Sequence, residues 1–109
     1  MKLKGIHFVG NKTSRKGERL FHGVDPVRVV NLEPPYADAV EGEINEAVEK
    51  AEKAFEVYRK LSPERKAEFL EAIAEEIMNL GDDLINRCMQ ETALSYERLV
   101  GERTRTVNQ

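Results

Sequence analysis

From Glu41 onward the apolar residues of this chain keep a period of three and four, and that pattern decides most of what the chain can fold into. Ile44, Ala47, Val48, Ala51, Ala54, Phe55 and Tyr58 fall on one stripe of an amphipathic helix. Glu46–Lys50, Glu49–Lys53 and Glu56–Lys60 are i,i+4 pairs in the favourable order on its polar side. Leu61-Ser62-Pro63-Glu64 ends that helix and starts the next. Ser62 is an N-cap residue, Pro63 takes the first helical position, where its missing N–H is not needed, and Glu64 faces the positive helix end. The second helix carries Leu70, Ile73, Ala74, Ile77 and Met78 inward and meets Gly81 as the residue after its C-cap. Asp82 and Asp83 open a third helix with Leu84, Ile85, Cys88 and Met89 apolar, and Ser95 caps a fourth that runs through Leu99 into "GERTRTVNQ". That last stretch offers only Asn108 as a stop signal, so the expectation is a helix interrupted rather than finished.

The first forty residues read as extended. "GIHFVG" places Ile6 and Phe8 on one side of a half-buried strand bounded by glycines, "NKTSRKG" supplies turn residues, and "ERLFHGV" offers a returning strand. Such a hairpin is marginal alone and needs a surface to pack on. "DPVRVVNLEPPYADA" follows with three prolines and reads as an extended connector lying across another element. The expected fold is therefore an α+β fragment, mostly helical: a β-hairpin arm with a Pro-rich connector over residues 1–40, then three to four antiparallel helices over 41–109, with no internal repeats.

At 109 residues, 40% hydrophobic and 34% charged, the chain suits one small soluble domain rather than a disordered tail. Residues 1–40 carry seven Lys/Arg against four Asp/Glu, while 41–109 carry ten against sixteen. Lys12, Arg15, Lys16 and Arg19 gather around one turn, but no aromatics interleave with them and the rest of the chain is acidic. They read as a solvated hairpin tip, with no nucleic-acid partner. A single cysteine excludes an internal disulfide and suits a reducing compartment, and no apolar run approaches the ~18 residues that cross a bilayer. Without a secretory leader the expected setting is the cytoplasm, with no membrane partner.

No active site emerges from the residues alone. Cys88, between Ile85 and Met89 on an apolar face, reads as a buried core thiol. His7 and His22 sit on the two expected strands and together lack a third ligand, so no metal site is expected. "GNKTSRKG" has Arg15 where a phosphate loop needs its second glycine, and no G-x-G-x-x-G occurs. The acidic run Glu41, Glu43, Glu46 and Glu49 reads as a solvated helix face. Arg103 and Arg105, flanking Thr104, are the residues best suited to chemistry, because a guanidinium recognises carboxylates and phosphates bidentately. The competing reading pairs them at the surface with Glu97 or Glu102.

"GIHFVGNK", "FHGVDP", "EPPYADA", "AVEKAEKAFEVYRKLSPERKAEFLEAIAEEI", "GDDLINRCMQET" and "RLVGERTRTVNQ" follow one another as at the start of aldehyde dehydrogenases, which the chain resembles over nearly its whole length. The last segment looks like the branch that oxidises 2-oxoglutarate semialdehyde (2,5-dioxopentanoate), in which G-E-R-G-R-T-x-x-Q follows E-T-G. The chain departs from that pattern at Ala93 and Thr104, where the branch has glycine, and "DPVRVVNLEP" replaces a D-P-A-T-G-E-type turn. The resemblance implies an α/β parent in which a cysteine thiolate attacks the aldehyde, hydride passes to NAD or NADP, and a glutamate-activated water hydrolyses the thioester. The catalytic Cys, Glu and Asn and the nucleotide-binding motifs of such enzymes lie further along, and nothing in residues 1–109 matches them. The expectation is a scaffold fragment that has no catalytic residue, binds no cofactor itself and is inactive alone. Residues 41–109 would contribute to the cofactor-binding domain. Arg103, Arg105 and Gln109 are the candidates for lining its substrate entrance. Its expected partner is the remainder of the enzyme, or a second copy in a dimer or larger assembly. The alternative is a free-standing helical interaction module without enzymatic activity.

Overall fold

The computed structural model describes residues 2–109. Four short strands, β1 (His7–Val9), β2 (Lys12–Ser14), β3 (Leu20–Asp25) and β4 (Val30–Ala37), precede four helices, α1 (Glu41–Tyr58), α2 (Pro63–Asn79), α3 (Gly81–Thr92) and α4 (Tyr96–Asn108). The chain is thus α+β and mostly helical. Helix α1 starts where the apolar period changes, and α2 starts at the proline suited to a first turn. The chain divides into two compact units, residues 2–22 with 33–62 and residues 23–32 with 63–109.

The strand pairing differs from the expected hairpin. β1 pairs antiparallel with β2, His7 opposite Ser14 and Val9 opposite Lys12, and "ERLFHGV" pairs instead with the connector as β3–β4. Two residues, Gly10 and Asn11, close the first hairpin, with Gly10 at φ +61° as such a tight turn demands. His7 and His22 consequently lie in different hairpins, and His22 Nε2 instead faces Glu33 at 3.6 Å. The second turn is built by Asp25, whose Oδ1 accepts from the N–H groups of Val27 (2.9 Å) and Arg28 (3.0 Å) while its carbonyl accepts from Val29. This is the Asx-type substitution of a side chain for backbone.

In the first unit α1 packs on the β1–β2 hairpin, to which it is tied by two side chains seven residues apart, hence on one helix face. Glu43, expected in a solvated face, is only 2% exposed. Its Oε1 accepts from the Ser14 hydroxyl and from Lys16 N–H (3.0 Å), and its Oε2 from Val40 N–H (3.0 Å). The last of these satisfies one of the free donors at the helix start, half of a capping box. Two turns on, Lys50 Nζ donates to the Val9 carbonyl (3.2 Å) and pairs with Glu46 at 2.8 Å.

In the second unit α4 runs back along α2 and against α3. Gly81, at φ +57°, makes the bend between α2 and α3. Of the apolar residues expected inward, Ile85 is 2% exposed, whereas Leu70 is 60%, Ile73 42% and Met78 46% exposed. Helix α4 covers only one flank of α2, so most of the stripe of α2 lies open. The stripe of α1 lies open in the same way at Ile44, Val48 and Phe55. Cys88 is half-buried rather than fully buried.

Two residues other than glycine adopt positive φ, Val29 (+55°) and Ala93 (+61°), the latter as the left-handed C-cap of α3. Ala93 stands where the resembled pattern has glycine, and Val29 lies in the segment that replaces its D-P-A-T-G-E-type turn. At such φ a side chain strains against the backbone, whereas glycine does not. Ala93→Gly and Val29→Gly should each stabilise the chain by about 0.5–1 kcal/mol, after the larger unfolded-state entropy of glycine is set against the strain relieved. Ala72→Gly, in the exposed interior of α2, should cost about 1 kcal/mol. Urea unfolding midpoints would check all three signs, and a destabilising Ala93→Gly would sink the strain account.

Three donors hold Glu43 as the carboxylate, so its pKa lies below the ordinary glutamate range, the Ser14 hydroxyl being the largest cause and burial opposing it. The unfolded chain takes up this proton near pH ~4.3 and the folded chain only lower. The stabilisation is therefore complete above the unfolded pKa and lost as pH falls through the folded one. Glu43→Gln should lower Tm at neutral pH, by on the order of 5 °C, and flatten the decline of Tm below about pH 4.3. An equally steep acid decline in the variant would assign that loss elsewhere.

Candidate functional site

The residues singled out for chemistry lie on α4. Ser95 starts this helix as expected, its Oγ accepting from Arg98 N–H at 3.3 Å, and Arg98 pairs with Glu102 at 3.7 Å on the exposed side. Tyr96 and Arg103 lie two turns apart on one face. The Tyr96 hydroxyl donates to Asp82 Oδ1 at 2.8 Å, and Arg103 Nη1 donates to the Gly81 carbonyl at 2.9 Å. Both bonds fasten α4 to the first turn of α3. Arg103 Nε is buried without a partner, and the side chain shares with Ile77, Leu80, Ile85, Cys88 and Leu99 the lining of an apolar cavity of about 320 Å³.

Arg105 lies roughly 200° around the helix from Arg103 and is exposed. The structure therefore does not bring the two arginines together. Gln109 follows Arg105 by one turn and, with Thr106 and Val107, borders a second cavity of about 390 Å³ against Leu70, Ile73 and Ile77 of α2. Neither the Tyr96–Asp82 nor the Arg103–Gly81 contact was legible in the sequence, because residues 14 and 22 positions apart meet only after α3 and α4 have packed.

A pyrophosphate is commonly held by the free N–H groups of a helix N-terminus. Here every helix carries carboxylates in its first turn: Glu41 and Glu43 in α1, Glu64 in α2, Asp82 and Asp83 in α3, and Glu97 in α4. Among the described residues no group of three or more His, Cys, Asp or Glu could hold a metal ion. Among the described residues no helix is long and apolar enough to cross a membrane.

The Asp82 carboxylate raises the pKa of Tyr96 above the usual phenol value, first through their hydrogen bond and then through its charge; Arg103 opposes it. The bond's contribution is present below the unfolded pKa and lost as pH rises through the folded one. Asp82→Asn should move one tyrosine step to lower pH in an ultraviolet titration; an unmoved profile would show that the bond does not persist in solution.

Comparison with known proteins gives this geometry its family. The model of the aldehyde dehydrogenase family matches residues 13–109. The chain is 38% identical over 110 residues to alpha-ketoglutaric semialdehyde dehydrogenase 2 of Azospirillum brasilense, an alignment covering 100% of this chain and 21% of that protein. It is 32% identical over 89 residues to the alpha-ketoglutaric semialdehyde dehydrogenase of Acinetobacter baylyi, covering 79% of this chain and 17% of that protein. The chain thus spans about a fifth of the length of these curated relatives. No solved structure matches it significantly. With the family match extending over most of its length, the chain belongs to the aldehyde dehydrogenase family.

Proposed function

We propose that this chain serves as the N-terminal scaffold of an NAD(P)-dependent aldehyde dehydrogenase that oxidises 2-oxoglutarate semialdehyde to the dicarboxylate. The observation that carries the reading is 38% identity along the whole chain to an alpha-ketoglutaric semialdehyde dehydrogenase. In this reading residues 41–109 contribute helices to the cofactor-binding domain and residues 1–40 form an arm. The nucleophilic cysteine, the water-activating glutamate and the nucleotide site come from other parts of the enzyme. The chain by itself is then catalytically inert. Following NAD(P)H absorbance with the semialdehyde and either nucleotide tests it directly. No turnover is expected from the 109-residue chain, and measurable turnover would overturn the assignment of inertness.

The substrate carries a carboxylate remote from its aldehyde, which suits a guanidinium at the entrance. Arg103, Arg105 and Gln109 are proposed for that entrance with unequal parts. Arg103 spends one N–H on the Gly81 carbonyl and orients the helix. Arg105 is the exposed charge, and Gln109, the C-cap of α4, borders the cavity against α2. In an enzyme of the relatives' length that contains this segment, Arg105→Gln should raise KM for the acidic aldehyde about tenfold, a loss of roughly 1.4 kcal/mol. An uncharged aldehyde of similar size should be unaffected. An equal change for both aldehydes would remove Arg105 from charge recognition.

The open apolar faces of α1 and α2 also favour a second reading, a free-standing helical module that associates with itself or another protein. In either reading the isolated chain should form dimers or larger species. Light scattering showing a monomer at tens of micromolar, together with a sharp two-state melt, would count against both.

A further inference from the structure

We draw no further inference here: the strongest candidate, the open apolar cavity between α2 and the last turn of α4 lined by Leu70, Ile73, Ile77 and Val107, is an unpartnered helix face and nothing in the structure shows what covers it.

Discussion

The Glu43 carboxylate is the interaction on which the first unit depends, because little apolar burial is available to replace it. Among the described residues the buried hydrophobic side chains are Val9, Ala37 and Ile85. A three-residue hairpin has almost no hydrophobic face of its own. Glu43 fixes it by accepting from Ser14 and Lys16 on one side and from the start of α1 on the other. A carboxylate can do this from a buried position only because all its donors converge on it; leaving such a group unpaired would cost more than the bonds return. Lys50, two turns later, repeats the arrangement with the opposite charge on the Val9 carbonyl. The second unit uses the same spacing: Tyr96 and Arg103 reach from one face of α4 to Asp82 and Gly81. Side chains seven residues apart lie nearly in line along a helix, so each unit gains two polar ties without requiring a continuous core.

What the sequence made legible follows from how local each signal is. The starts of α1, α2 and α4 were readable because Pro63, Ser95 and the change of period at Glu41 act within a few residues. The hairpin pairing was misread although Gly10-Asn11 is itself a two-residue turn signal; the basic stretch after it looked like a longer loop and hid the short return strand. Glu43 was hidden for a different reason. A capping box is recognised by Ser or Thr three residues before Glu, and here the N-cap residue is Val40, whose side chain accepts nothing. The inward face assigned to α2 illustrates a third limit. Periodicity identifies which face of a helix is apolar but not whether a neighbour lies over it, and α4 covers only a part of that face.

The positive-φ residues join sequence and backbone more closely. The departure from the family pattern at Ala93, and Val29 in the altered turn, look like ordinary surface residues when read as letters. In the fold both occupy left-handed positions, one in the turn shaped by Asp25 and one closing α3. Neighbouring hydrogen bonds hold the chain path there: Val29 N–H donates to the Asp25 carbonyl, and Ala93 N–H to the Met89 carbonyl. The strain is carried locally instead of being relieved by refolding the turn.

The same distinction between letters and geometry alters the meaning of "GERTRT". As a string it presents two arginines separated by one residue, an apparent pair suited to a single anion. A helix turns each residue about 100° from the last, which sends the two guanidinium groups to opposite sides. Arg103 turns inward to the α2–α3 bend and Arg105 outward to solvent. A charge held against a backbone carbonyl is already partly spent on structure, whereas an exposed one remains available to a ligand. Two arginines at this spacing can thus serve one function only in succession: the first sets the rotation of α4, and that rotation decides where the second one points.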